Sequence, residues 1–192
     1  MVTGDGEATT AYTYTMSLPI PSGTYDIDTV HSQLGFSVTH LGISVIRGTF
    51  DSFSGSLTVG ETLADTSVTI DAVMTSVNSG NTMRDNHLHG ADFFDTATHP
   101  DMTYRSTSIS ESGSAYELTG DLTIKGVTLP VTLQVSFNGS NVFPMDQSTH
   151  YGFVAAATIS RSGYNISYGV PMVSDDVKLV LDAQFVAPAT AG

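Results

Sequence analysis

The stretch AYELTGDLTIKGVTLPVTLQVSF, residues 115–137, contains two runs in which apolar and polar residues alternate. In the first run Leu118, Leu122 and Ile124 fall on one side of an extended chain, and the polar residues between them fall on the other. Such alternation is typical of antiparallel strands with one buried and one solvated face. Lys125-Gly126 separates the two runs, so the stretch predicts a hairpin of strands 115–124 and 127–137.

The same alternation recurs elsewhere and predicts further strands around residues 34–40, 68–72 and 177–185. One stretch, residues 79–100, has helix-like spacing instead, with Gly90 as a stop signal and Pro100 beyond it. It predicts a short helical insert, of one or two helices, around residues 81–95. Many strands and one insert predict a mainly β fold, a single antiparallel barrel whose closure removes exposed strand edges.

The composition argues against several classes of function. Six Lys and Arg against 19 Asp and Glu give a net charge of −13, which argues against a nucleic-acid partner and against docking on an anionic membrane. The absence of Cys excludes disulfides and Cys nucleophiles. The sequence contains no apolar stretch long enough for a transmembrane helix. It also contains no nucleophile elbow, phosphate-binding loop or dinucleotide fingerprint, so no catalytic motif indicates an enzyme.

Composition also divides the chain. Residues 1–22 are rich in Thr, Ser, Gly and Pro and contain no Lys or Arg, which predicts a flexible N-terminal arm before a domain over residues 23–187 and a tail over residues 188–192. The arm has no basic start and no apolar core, so it does not have the pattern of a secretory signal. This favours a cytoplasmic protein; a periplasmic or secreted protein whose leader has been removed would have the same composition.

Short motifs in a fixed order resemble the YceI-like, polyisoprenoid-binding family over residues 24–186. They are Tyr25-Asp26-Ile27-Asp28, His31-Ser32, Phe36-Ser37-Val38, His40-Leu41-Gly42, Gly48-Thr49-Phe50, Phe53-Ser54-Gly55, Arg84-Asp85, His87-Leu88, Asp92-Phe93-Phe94-Asp95, Pro100, Gly120-Asp121-Leu122-Thr123-Ile124, Gly126-Val127-Thr128, Pro130-Val131, Gly152-Phe153, Ile159-Ser160-Arg161 and Tyr164. The resemblance implies an eight-stranded, lipocalin-like barrel. It also implies a long isoprenoid, such as an isoprenoid phosphate or quinone-like lipid, or a similar amphiphile, held in an apolar tunnel. It implies no cofactor and no catalysis.

The resemblance points to a set of candidate ligand-binding residues. The expected tunnel wall consists of Phe36, Val38, Phe50, Phe53, Leu88, Phe93, Phe94, Tyr104, Phe153 and Ala155, although each of these side chains could instead pack a filled core. His40 shares a face with Phe36 and Val38, so it should point inward, either as a head-group donor at the mouth or in a structural hydrogen bond to backbone. Arg161 is a candidate for an anion site.

Other interpretations stay open at this point. One is an enzyme of the cyclase or isomerase type, with His40 and Tyr104 as acid and base. Another is a stress-response module whose barrel is fully packed. Asp85, His87 and His89 have a spacing that can hold zinc, but no fourth ligand is evident, and a partly buried pair of Arg84 and Asp85 that ties the insert to the barrel is the simpler interpretation. A homodimer is left open.

Overall fold

The computed structural model describes residues 17–187, which contain eleven strands and one α-helix. The elements are β1 (Gly23–Ile27), β2 (Gln33–His40), β3 (Ser44–Phe50), β4 (Phe53–Val59), β5 (Ser67–Val73), β6 (Val77–Asn78), α1 (Thr82–Leu88), β7 (Asp101–Ser112), β8 (Ala115–Ile124), β9 (Val127–Val142), β10 (Thr149–Ser160) and β11 (Val173–Val186). The predicted mainly β fold is confirmed. No helix in the described part of the chain has the length and apolar character needed to cross a membrane.

Eight of the strands form a closed antiparallel barrel, as predicted. Their order is β1-β4-β5-β7-β8-β9-β10-β11, and β11 returns to β1 through the pairs Asp26–Val186 and Ile27–Phe185. Toward the start of β11, the same edge of that strand pairs with β2, as far as the pair of Val173 with His40. β3 then pairs with β2, and the short β6 pairs with β3. β2 and β3 extend the barrel wall at the end where β2 reaches His40, and β6 lies at the other end of β3.

The predicted hairpin is present, with β9 longer than expected. β8 and β9 pair from Ile124–Val127 to Tyr116–Val135. Lys125 and Gly126 both have positive φ, 49° and 73°, the conformation of the two-residue turn whose twist matches that of the flanking strands.

The predicted N-terminal arm is partly wrong. Residues 1–16 and the predicted tail, 188–192, lie outside the described residues. Within residues 17–22, however, Leu18 and Ile20 are buried in the core, each 7% exposed. The Tyr25 hydroxyl donates to the Pro21 carbonyl at 2.8 Å. This segment packs because its two apolar side chains, spaced by two, gain more from burial than the short extended segment loses in entropy.

The predicted insert contains one helix, α1, followed by turns through residue 95. The Asn81 side chain accepts a hydrogen bond from the Arg84 amide and so caps the helix start. The predicted pairing of Arg84 with Asp85 is wrong. Both side chains bind Ser79 instead: Arg84 Nε donates to Ser79 Oγ at 2.7 Å, and Asp85 Oδ1 accepts from the Ser79 amide at 2.8 Å. Ser79 thus fixes the insert to the end of β6.

Candidate ligand cavity

A cavity of about 360 Å³ lies inside the barrel at the end where β2 reaches His40. Its wall comes from β2, β3 and β11 on one side, and from α1, the turns after it and the connection between β10 and β11 on the other. Its volume falls within the range of about 300–1,000 Å³ that is usual for small-molecule sites. This cavity contradicts the interpretation of a fully packed barrel.

The structure brings most of the predicted ligand-binding residues to this cavity. Those that line it are Phe36, Val38, His40, Phe50, Leu88, Phe93, Phe94 and Arg161. Tyr104, Phe153 and Ala155 lie deeper in the barrel, around two small voids of about 60 Å³ each. Phe53 is partly buried against the core and lines none of these spaces. Contact of these side chains with a ligand stays a prediction.

The three spaces lie next to one another along the barrel. One small void shares Met102 and Leu179 with the main cavity, and it shares Tyr104 and Ala155 with the other small void. The barrel is therefore open at one end, and its far half is packed around two small voids.

Aromatic rings form much of the cavity wall. The ring of Phe50 lies 5.6 Å from that of Phe36 and 6.0 Å from that of Phe94, which connects β2 and β3 to the insert. A second group joins the insert to the connection between β10 and β11, because the Tyr168 ring lies 5.0 Å from His87 and 5.4 Å from Phe93. These contacts hold α1 and its turns against the barrel.

The polar groups of the cavity are basic or neutral. Its lining includes Arg84, Arg161, His40 and His87 and contains no Asp or Glu, although the chain carries 19 acidic residues. Arg84 donates through Nε and Nη2 to Ser79, while its Nη1 group has no hydrogen-bond partner among the described residues. Arg84 therefore keeps donors available for an anion.

Arg161 organises the connection that covers the cavity. It is 5% exposed, and its guanidinium donates to the backbone carbonyls of Ile166, Tyr168, Val173 and Ser174 at 2.8–2.9 Å. Burial lowers the pKa of Arg161, while the charge of Asp175 opposes that shift. Because its donors are largely occupied by carbonyls, Arg161 acts mainly on the fold of this connection.

Tyr164 is a cavity residue that sequence reasoning missed. Its side chain is 1% exposed and lines the cavity, and its hydroxyl is buried without a hydrogen-bond partner in the described part of the chain. Burial raises the pKa of Tyr164 to about 12, so the hydroxyl stays protonated at neutral pH. An unpartnered buried hydroxyl costs about 1–3 kcal/mol. A polar group on a ligand would remove that cost.

The other lining residues that the sequence did not indicate come mostly from β11 and the segment before it. They include Ile166, Tyr168, Gly169, Met172, Val173, Val177 and Leu179. Val177 and Leu179 belong to the strand predicted around residues 177–185, whereas Val173 lies before its predicted start. Residues 165–172 form no strand, so no periodicity identified them.

His40 lies at the cavity as predicted. It is partly buried at the end of β2, and its ring makes no hydrogen bond to any residue that the structure describes. The alternative of a structural bond from its ring to backbone is therefore wrong. His40 lines the cavity together with the polar side chains of Ser79, Arg84, His87, Arg161, Tyr164 and Tyr168.

The predicted acid–base pair of His40 and Tyr104 is not assembled. Tyr104 lines the small voids and not the main cavity, and its hydroxyl donates to the Leu118 carbonyl at 2.8 Å. Burial, helped by the charge of Asp121, raises the pKa of Tyr104 well above its usual value. The hydroxyl is therefore held in a structural bond, away from His40.

The residues with a zinc-like spacing are also separated. Asp85 binds Ser79, and His87 Nε2 lies 2.9 Å from Asp92 Oδ2. The described residues contain no group of three His, Asp or Glu side chains placed to ligate a metal.

Comparison with known proteins places this barrel in a family. The sequence profile of the YceI-like domain matches residues 25–185. The chain belongs to the YceI-like family. A UPF0312 protein of Staphylococcus aureus is 37% identical to this chain over 169 residues, which cover 86% of this chain and 95% of that protein.

Solved structures show the same fold. The crystal structure of BcnA from Burkholderia cenocepacia matches this structure with a TM-score of 0.71 and 26% identity, over 84% of this chain and 99% of BcnA. A polyisoprenoid-binding domain from Saccharophagus degradans matches with a TM-score of 0.64, over 85% of this chain and 98% of that domain. At 17% identity this second likeness concerns the fold alone.

Proposed function

We propose that the protein binds a long-chain lipophile in the main cavity and carries or sequesters it. The ligand is a polyisoprenoid or a similar amphiphile with an anionic head group. One observation carries this proposal: an apolar, aromatic cavity contains two arginines and no carboxylate in a chain of charge −13. The polyisoprenoid-binding domain of Saccharophagus degradans, which has the same fold, supports the ligand class.

Burial of the hydrocarbon supplies the affinity in this proposal. Each buried methylene contributes about 0.8 kcal/mol, so a chain packed among Phe36, Phe50 and Phe94 binds with few polar contacts. A tail longer than the main cavity passes Met102 and Leu179 toward the small voids. Met102 suits this role because the methionine side chain adapts its shape easily.

The head group lies among the polar side chains of the cavity. Arg84 offers its free Nη1 group, Tyr164 offers its unpartnered hydroxyl, and His40 lies on the same wall as Val38. A phosphate suits this set, since guanidinium and phosphate form strong charge-assisted hydrogen bonds. Encapsulation needs no nucleophile or general base, and the acid–base pair on which the alternative of an enzyme depended, His40 with Tyr104, is not assembled.

Removing the free arginine is expected to weaken the binding of a charged head group only. Arg84→Gln should lower the affinity for geranylgeranyl phosphate about 10- to 100-fold, the effect of one charge-assisted hydrogen bond. Its affinity for geranylgeraniol, which has the same tail without phosphate, should not change. Isothermal titration calorimetry with both ligands measures the two affinities.

Two further variants sharpen this test. Arg105→Gln is the matched control, because Arg105 pairs with Asp71 at 2.6 Å outside the cavity; it should bind both ligands as the wild type does. Tyr164→Phe should keep or raise the free energy of unfolding and reduce affinity for the phosphate. If Arg84→Gln binds both ligands like wild type, the head group does not lie at Arg84. If neither ligand binds the wild-type protein, the carrier function itself is wrong.

A further inference from the structure

Six exposed apolar side chains surround the opening of the main cavity. They come from two loops together with the first strand residues that follow them, 41–45 and 167–173. Their exposed fractions are 55% for Leu41, 84% for Ile43, 48% for Val45, 52% for Tyr168, 42% for Val170 and 60% for Met172. We refer to these six side chains as the mouth rim. Apolar groups gathered in this way mark surfaces that meet a partner.

The two loops lie side by side. The Leu41 amide donates to the Met172 carbonyl at 2.6 Å, and His40 pairs with Val173 at the base of both loops. Tyr168 and Met172 line the cavity and are also more than half exposed. The cavity therefore opens to the outside at the mouth rim, and its apolar wall continues onto that surface.

Leu41 is not explained by the fold. Its φ is 52°, in the left-handed region, which favours Gly or Asn and is costly for a leucine. Its side chain gains little from burial, since 55% of it is exposed. Neither backbone conformation nor packing selects leucine at this position, so contact with something outside the chain is the remaining physical reason.

Charge distinguishes the mouth rim from the opposite end of the barrel. Residues 41–45 and 167–173 contain no charged side chain. At the opposite end Val30 and Met145 are similarly exposed, 83% and 86%, but their loops carry the carboxylates of Asp28 and Asp146. Immediately after the second rim loop come Asp175 and Asp176. A membrane without net charge suits this arrangement, because anionic lipids would be repelled by the acidic residues.

We propose that the mouth rim docks on the surface of an uncharged or zwitterionic lipid bilayer. Its apolar side chains enter the interfacial region, and the cavity then opens directly onto the hydrocarbon. A long-chain lipophile passes between bilayer and cavity without crossing water. This inference rests on the proposed function, since it concerns how the ligand of that cavity enters and leaves.

Flotation of the full chain with phosphatidylcholine vesicles tests the docking. The wild-type protein should float with the vesicles, and high salt should leave the bound fraction unchanged because the contact is uncharged. Leu41→Asp with Ile43→Asp, two rim residues that do not line the cavity, should reduce the bound fraction about tenfold or more, as two charges then face the membrane interface. Transfer of geranylgeranyl phosphate from the vesicles to the protein should slow to the same extent.

The matched control places the same charges at the opposite end, as Val30→Asp with Met145→Asp, and should leave flotation unchanged. Calorimetry with geranylgeranyl phosphate in solution separates docking from ligand binding. If the rim variant binds that ligand like wild type but does not float, the docking proposal holds. If the wild-type protein binds the ligand but does not float, docking is wrong and the carrier function stands. A dimer in sedimentation that is abolished by the rim variant, without flotation of the wild type, would assign the rim to a second copy and overturn the proposal.

Discussion

Val38→Phe with Val177→Phe is expected to reduce retention of a long-chain lipophile at least about tenfold while changing the free energy of unfolding by less than about 1 kcal/mol. The two valines are direct partners across β2 and β11, and both line the main cavity. Two added rings occupy space that is empty within the described chain, and phenylalanine is favoured in strands. Retention is measured by extraction of the purified variant, and stability by urea unfolding.

Ala155→Phe is the matched control for this double variant. Ala155 faces into the same barrel, but it is 8% exposed and borders only the two small voids. A ring there overpacks the barrel and should lower the free energy of unfolding by about 1–3 kcal/mol. Retention of a short lipophile should persist in this variant. If the paired Val38 and Val177 variant keeps its lipid, the ligand does not occupy the main cavity.

Arg161→Met is expected to lower the free energy of unfolding by about 3–5 kcal/mol, a larger loss than that expected for Ala155→Phe. The variant removes the donors of four hydrogen bonds to the carbonyls of Ile166, Tyr168, Val173 and Ser174. Carbonyls that become buried without a donor are costly, and the connection that covers the cavity loses its main internal support. Urea unfolding at neutral pH measures the change.

Arg161→Lys tests whether the geometry or the charge matters. Lysine keeps the positive charge but offers three donors on one atom, so it cannot reach four carbonyls arranged around a planar guanidinium. It should recover only part of the lost stability. A loss below about 1 kcal/mol in Arg161→Met would show that water replaces the guanidinium and that Arg161 does not support the connection.

The sequence predicts the barrel well because strand alternation and turn chemistry are local signals. Residues 115–137 predict their own hairpin, and the alternation of Phe36, Val38 and His40 predicts that they share one face. Alternation gives the face of a strand but not the depth along the barrel. Ala155 and Ile159 share a face of β10, yet they lie four positions apart, about 13 Å along the strand, and only Ile159 reaches the main cavity.

The missed residues of the site depend on non-local contacts. Residues 165–172 have no regular period, and their position follows from hydrogen bonds to Arg161 that no pattern in the sequence encodes. Ser79 likewise binds both Arg84 and Asp85, through its hydroxyl and its backbone amide. A prediction that pairs side chains by opposite charge does not consider these neutral groups. Leu18 and Ile20 are buried although their surroundings have the composition of a flexible arm. The cytoplasmic location and the homodimer stay predictions.

Native mass spectrometry of the freshly purified protein, followed by organic extraction, measures most directly whether the cavity holds a lipophile. We expect a mass excess that corresponds to one lipid per chain and an extract that contains a long-chain isoprenoid or a similar amphiphile. The excess should disappear in Val38→Phe with Val177→Phe. A spectrum that shows only the mass of the chain, with no lipid in the extract and no uptake of added geranylgeranyl phosphate, would contradict the proposed function.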